Sequence, residues 1–325
     1  MKVKIEAIEY YLPPRTEDGA KMKEDNPDWR IADIEKKTGV LMRHIAAPEQ
    51  TAVDMAELAA EKLFSSGISR DEIGFIILVT QSPDYMLPTS ACILQDRLKL
   101  KRECAAFDVN LGCSGYVYGL AIGSDMIEAG LTQKGLLICS ETYTKSIAKN
   151  DRTCRPIFSD GAAVTLLTND NKNGIGPFEL GTDGSGYADL IIPLSGARQM
   201  MKQDQERKLF MNGAKVFMFT MDVVPKCVNA LLSRAGKMID DVDLFVFHQA
   251  SQIVMDNIIR HLGLPAEKVF INCREIGNTV SASIPIALKD AMTQKRLKKG
   301  DLVMLVGFGV GLSWGGCLVE WEGGV

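Results

Sequence analysis

No stretch of this chain stays apolar long enough to cross a membrane. The longest apolar runs, in FIILV at 75–79 and DLVMLVG at 301–307, have the length of buried strands. The opening MKVKIEAIEYYLPP lacks the apolar segment of an export signal, so neither membrane insertion nor secretion is expected. Paired cysteines are missing too. Eight cysteines are present but none forms a C-x-x-C pair, and their wide spacing among apolar neighbours reads as the reduced thiols of a cytoplasmic protein without a metal site. There is little excess charge: a formal net charge of −4 offers nucleic acid no overall attraction, although a local basic patch could still meet an acidic partner. Histidine is scarce, which limits an imidazole acid or base to His44, His248 or His261.

Core-forming residues are plentiful. A chain of 325 residues with 46% hydrophobic side chains exceeds one small core and carries no bias toward disorder. Short β-type runs at 74–80, 105–109, 135–139, 242–248, 268–272 and 301–307 alternate with one-faced helical patterns at 53–64, 90–98, 115–129, 216–232, 251–261 and 284–297, which predicts mostly parallel α/β sheets. The order of roles repeats. DEIGFIILVTQ, CAAFDVNLGC and GLLICSET are followed in the second half by DDVDLFVFHQ, KVFINCREIGN and DLVMLVGFG, so an internal duplication is expected, with halves 1–170 and 171–325. Hairpin-like segments, DGAAVTLLTND and LSWGGCLVEWEG, end the two halves, and residues 181–207 suit a surface loop or small cap.

Cys113 ends an apolar strand and opens a helix in DVNLGCSGYVYGL, where helix N-terminal N–H groups favour a thiolate and the Gly112-Cys113-Ser114-Gly115 turn can push sulfur into a cleft. A structural cysteine is the plainer reading of that feature alone. His248 ends DLFVFHQ, which would deliver an imidazole to the carboxyl edge of a parallel sheet, where open α/β sheets place reactive groups. Taken alone it could equally be a core histidine bonded to backbone; His44 and His261 lack any such placement. Asn278 lies in an Ile-Gly-Asn-Thr turn that has the role of Leu111-Gly112-Cys113 in the first half, although left-handed backbone is the ordinary reason for Asn there. The glycine-rich GFGVGLSWGG at 307–316 lacks the Lys and Ser/Thr of a phosphate loop. It reads either as a tight hairpin or as a source of oxyanion-binding amides beside Cys113.

Together these segments closely resemble β-ketoacyl-acyl-carrier-protein synthase III of the thiolase superfamily. KKTGVLMRHIA, DVNLGCSGYVYGL, RPIFSDGAA, DGSG, MNGAKVF, FHQAS, GNTVSASIP and GFGVGLSWG occur in that family's order over nearly the whole chain. The resemblance implies a duplicated five-layer αβαβα fold and a homodimer. It implies that Cys113 takes a starter acyl group as a thioester, and that His248 and Asn278 stabilise the enolate formed as a malonyl thioester loses carbon dioxide. Phe308 matches a family aromatic beside the cysteine, and the Val310 amide, within Gly309-Val310-Gly311, is the implied second oxyanion donor. Coenzyme A or carrier-protein thioesters would be substrates, with no permanently bound cofactor. Arg152 matches a coenzyme-binding arginine, Lys37 falls at another, Arg260 retains part of a carrier-binding basic patch, and Leu87 matches a segment that lines the partner's acyl pocket across the dimer.

The departures point to a specialised relative. Asp33 stands where the family has an adenine-stacking Trp, and Ile253 and Met218 replace two carrier-binding cations. Hydroxymethylglutaryl-coenzyme A synthase, which needs a Glu general acid/base, is disfavoured by Gln81. An O- or N-acyltransferase that forms no carbon–carbon bond and a non-catalytic partner subunit are the other readings. Retention of Cys113, His248 and Asn278 argues against both.

Overall fold

The computed structural model describes residues 2–170, 174–201 and 208–323. The first sheet is built from β1 (Val3–Tyr11), β4 (Ile73–Val79), β5 (Ala105–Val109), β6 (Lys134–Glu141) and β7 (Gly161–Asn169), while β2 (Thr16–Asp18) and β3 (Met42–His44) form a separate two-stranded ribbon. Its order is β1-β7-β6-β4-β5. The second sheet contains β8 (Ile175–Thr182), β11 (Leu244–Phe247), β12 (Leu302–Gly309) and β13 (Ser313–Glu320) in the order β11-β12-β13-β8. Between β8 and β11 the chain forms a small ribbon from β9 (Leu190–Ile191) and β10 (Phe210–Met211).

The two sheets repeat one plan. β1, β7 and β6 are joined by antiparallel ladders, and β6, β4 and β5 by parallel ones. β8, β13 and β12 likewise pair antiparallel and β12 pairs parallel with β11. All strands of the first sheet precede residue 170 and all strands of the second follow residue 174.

The helices are α1 (Gly19–Asp25), α2 (Ile31–Thr38), α3 (Ala52–Phe64), α4 (Ser90–Arg97), α5 (Gly115–Glu128), α6 (Gly213–Ala235), α7 (Gln252–Leu262), α8 (Cys273–Ile276) and α9 (Ser283–Thr293). Side-chain alternation explains their layering. Phe75, Ile77 and Val79 of β4 and Val303 and Leu305 of β12 face a central core with Tyr116, Val117 and Leu120 of α5 and Ile284, Ile286 and Leu288 of α9. Ile73, Ile76 and Leu78 face the other way, onto α3 and α4, while Met304, Val306 and Phe308 face α6 and α7. The result is an αβαβα stack, the duplicated fold expected of the sequence. Strands apolar on both faces suit such a stack because neither sheet face meets water. Locally, α3 starts with a reciprocal cap in which Asp54 N–H donates to Thr51 Oγ1 and Thr51 N–H donates to Asp54 Oδ2.

The structure departs from the expected elements in three places. The strand expected at 268–272 is a single bridge, Phe245 to Val269. A 3-10 turn at Ala266–Lys268 delivers the chain to that bridge, and Asn272 N–H is then drawn to Gln249 Oε1 as α8 begins, so no ladder can extend. Second, β1 and β8 were not anticipated, although VKIEAIEYY carries an alternating pattern. Third, α6 is a 23-residue helix whose length and hydropathy would suffice for a membrane span. Its Val223, Val224, Cys227, Val228, Leu231 and Leu232 pack into the core beside β12 and β13. Residues 202–207 of the expected surface loop and 171–173 at the junction between halves lie outside the described residues.

Candidate active site

Cys113 and His248 follow carboxyl ends of the parallel part of their sheets, while Asn278 lies on the loop after the short α8. β5 leads through Leu111, whose N–H donates to Val109 O at 3.0 Å, to a buried Cys113 at the head of α5. His248 directly follows β11, its N–H donating to Val306 O at 2.8 Å. The Asn278 loop is tied to the first half: Asn278 N–H donates to Ile157 O at 2.9 Å and Ser159 N–H donates to Asn278 O at 2.8 Å.

His248 and Asn278 touch each other, and Phe308, Gly309 and Val280 link them to Cys113. The His248 Nε2 and Asn278 Nδ2 atoms lie 3.3 Å apart, and His248 Nδ1 lies 2.7 Å from Ser283 Oγ, at the start of α9. Phe308 packs edge-on against the imidazole, with ring centroids 5.5 Å apart. The next residue, Gly309, passes so close to Cys113 that a Cβ there would stand 2.8 Å from its Sγ, which only glycine avoids. Val280, from the Asn278 loop, joins Cys113, Phe158, Leu190, Leu209 and Leu312 in one apolar cluster.

Asn278 is not in the left-handed backbone region; the positive φ angles fall on Gly277 and Val280. A β-branched residue at φ 55 is strained, and the conformation is held by Val280 N–H donating to Asn278 Oδ1 at 2.8 Å. That bond directs the Asn278 Nδ2 group toward His248.

The electrostatics correct one expectation. Helix N-terminal amides were expected to favour a thiolate at Cys113. Burial instead pushes the thiol up to about 12, against the downward pull of the Val310 N–H and its own N–H, with Glu141 adding to the rise. Burial also lowers His248 to about 3, so the imidazole is neutral at physiological pH. Both effects describe a dry site.

Sequence reasoning did not single out Ser283, Glu141 or Tyr143. Glu141, fully buried at the end of β6, accepts from Gln81 N–H at 3.2 and 3.1 Å, from Ser82 Oγ at 3.0 Å and from Ser281 Oγ at 3.0 Å. Burial raises its pKa to about 8, the hydrogen bonds only partly opposing it. A carboxylate closing the otherwise apolar run GLLICSE was the available signal.

The other candidate residues are not among these contacts. Arg152 is exposed on the loop before β7, Lys37 on α2 and Arg260 on α7. Leu87 is 82% exposed on the loop after β4. Asp33 pairs with Arg30 Nε at 2.9 Å, and Met218 and Ile253 are 70% and 41% exposed. A cavity of about 690 Å³ is lined by Arg15, Lys145, Lys149 and Lys208, and also by Ile147 of the Cys113 cluster. Its inner Arg43 and Arg155 are neutralised by Glu17 and Asp25.

Residues 107–184 match the 3-oxoacyl-[acyl-carrier-protein] synthase III family, and residues 232–321 match the C-terminal region of the same family. The β-ketoacyl-[acyl-carrier-protein] synthase III of Natranaerobius thermophilus is 37% identical over 317 residues, 94% of each chain. That of Clostridium perfringens is 36% identical over 301 residues, 91% of each. A 2.1 Å crystal structure of a 3-oxoacyl-(acyl-carrier-protein) synthase III superposes with a TM-score of 0.96 at 39% identity, covering 99% of this chain and 100% of that one. With the duplicated fold and the Cys, His and Asn site already in view, these likenesses make the chain a member of the β-ketoacyl-acyl-carrier-protein synthase III family of condensing acyltransferases.

Proposed function

We propose that the chain carries a starter acyl group on Cys113 and condenses it with a malonyl-type thioester, releasing carbon dioxide and a 3-oxoacyl thioester. The observation that carries this is a neutral imidazole and a carboxamide with facing nitrogens 3.3 Å apart, linked to a buried thiol through Phe308-Gly309 and Val280. With Ser283 Oγ donating to His248 Nδ1, the imidazole proton sits on Nε2, and two N–H donors then face one substrate oxygen. Such a pair stabilises an enolate oxygen as charge develops, most strongly where water is excluded. Simple acyl transfer has no need of it. In the first step, sulfur attacks the starter thioester carbonyl, the donor's C–S bond breaks, and the Cys113 proton leaves with the donor thiol. The Val310 and Cys113 amides, both placed at the sulfur, supply the oxyanion contacts, and Phe308 keeps the imidazole in apolar surroundings.

Arg152 and Lys37 are proposed contacts for coenzyme A and Arg260 for a carrier protein, consistent with their exposure. A homodimer is proposed on two features, β5 as the edge strand of its sheet and the exposed Leu87 loop suited to enter a partner's acyl pocket, and a cytoplasmic location on the free cysteines. The uncharged Met218 and Ile253 support a specialised carrier or starter over the general initiation reaction.

Incubation with a labelled acyl thioester, followed by mass spectrometry of the Cys113 peptide and then by malonyl-carrier addition, tests the proposal. An adduct followed by carbon dioxide release is expected. An adduct without release indicates an O- or N-acyltransferase, and no adduct on folded protein indicates a non-catalytic subunit.

A further inference from the structure

One side of the Cys113 cluster is not hydrocarbon. Val280, Leu190, Leu209, Leu312 and Phe158 supply apolar surface, but Tyr143 is buried among them, stacked at a tilt on Phe158 with centroids 5.4 Å apart. Its hydroxyl donates to Gln81 Oε1 at 2.5 Å. Tyr143 and Cys113 belong to the same buried cluster, and burial raises the tyrosine hydroxyl's pKa, with the charges of Glu141 and Cys113 adding to the rise. Gln81 is close to the nucleophile's turn, since a Cβ on Gly112 would stand 2.6 Å from Gln81 Oε1.

The pair is held in place. Gln81 N–H donates to both oxygens of Glu141, and the neighbouring Ser82 Oγ and the Ser281 Oγ of the Asn278 loop donate to the same carboxyl. Once Tyr143 has given its proton to Oε1, the tyrosine oxygen retains a free lone pair. Gln81 Nε2 has no protein acceptor among the described residues, and the side chain is only partly buried. Turning the carboxamide over exchanges donor and acceptor between the two residues but leaves one of each open.

Resting on the acyl-Cys113 reading above, we infer that the starter is a short hydroxyacyl group whose hydroxyl, within a few carbons of the thioester, bonds the Gln81–Tyr143 pair. A hydroxyl both donates and accepts, so it satisfies the open lone pair and the open N–H together. A ketone only accepts. A carboxylate would bring a second acidic group beside the buried Glu141, and a hydrocarbon would bury both open groups unpaired. Sites built to bond a substrate hydroxyl discriminate strongly against analogues that lack it. Loading needs no further reactant: the Cys113 sulfur forms a C–S bond to the hydroxyacyl carbonyl, the donor C–S bond breaks, the free thiol leaves with the cysteine proton, and the hydroxyl is unchanged.

The test is competitive loading of the full-length protein with equal butyryl- and 3-hydroxybutyryl-coenzyme A, the two adduct masses on Cys113 being counted at early times. The wild type should favour the hydroxyacyl adduct by about tenfold or more, the scale of one substrate hydrogen bond made or left unmade. In Gln81→Leu and Tyr143→Phe the ratio should fall toward unity. A ratio is read only from molecules that have loaded, so partial misfolding does not imitate the result. Equal or preferred loading of butyryl by the wild type overturns the hydroxyl preference and leaves the acyl-enzyme reading intact. Absence of both adducts overturns the acyl-enzyme reading and the preference with it.

Discussion

The amino-terminal half delivers Cys113 on a complete strand, whereas the carboxy-terminal half delivers Asn278 from a loop. In the first sheet β5 pairs with β4 along its whole length and leads within four residues to Cys113 at the head of α5. In the second, the corresponding segment makes one bridge at Val269, passes through the short α8, and reaches Asn278 with no strand behind it. What replaces the strand is the other half of the molecule. The backbone of Ile157 and Ser159 holds Asn278 on both sides, and Ser281 reaches across to Glu141. Cys113 is thus carried by a strand of its own half and His248 by β11 of the second, while Asn278 is fixed by contacts across the duplication. Such a site cannot be complete in either half alone.

The sharpest way to break this comparison is to remove the second half's contribution. His248→Ala or Asn278→Ala is expected to lower carbon dioxide release from the malonyl thioester by about 10²–10³-fold while Cys113 still gains the acyl mass. Equal loss of loading would mean that the halves do not divide the chemistry as proposed. Next in size is Gly309→Ala, which places a methyl against the sulfur. It should slow loading markedly and cost about 1–3 kcal/mol of stability by overpacking, read by urea unfolding beside adduct formation.

Ser283→Ala should leave loading unchanged and lower kcat for condensation by about tenfold with little change in KM, because it frees the tautomer of His248 without removing a group that touches substrate. A rise in KM alone would show that Ser283 serves binding. The last expected effect is on stability and concerns Glu141. Its pKa is about 8 in the folded protein against 4.5 for an ordinary glutamate. The unfolded chain therefore releases a proton that the folded one keeps, so this group's stabilising contribution is complete below about pH 4.5 and is lost as pH rises toward about 8. Glu141→Gln removes that dependence. The Tm of the variant relative to wild type should climb between pH 5 and 8, and a flat difference would show that the buried carboxyl is already ionised in the native state.

Legibility from sequence followed the same divide. Strands β4, β5, β6, β11 and β12 were visible because alternation and apolar runs are local, and Cys113 and His248 were visible because each terminates such a run. The segment at 268–272 has the same local signature, yet it failed to become a strand because its partners were withdrawn by a preceding turn and by Gln249. Arg152, Lys37, Arg260 and Leu87 were placed by family resemblance alone, and they lie exposed on the surface. Ser283 and Tyr143 escaped notice because a serine in SASIP or a tyrosine in SETYT announces nothing until its partner is known.

The order of the elements, their duplication and the residue types available for thioester chemistry were determined by the sequence itself, since each depends on neighbours a few positions away. Protonation was decided by the tertiary structure. A thiol raised to about 12, an imidazole lowered to about 3 and a carboxyl raised to about 8 are consequences of burial. Burial is a property of chain segments that meet only after folding, and no local pattern encodes it.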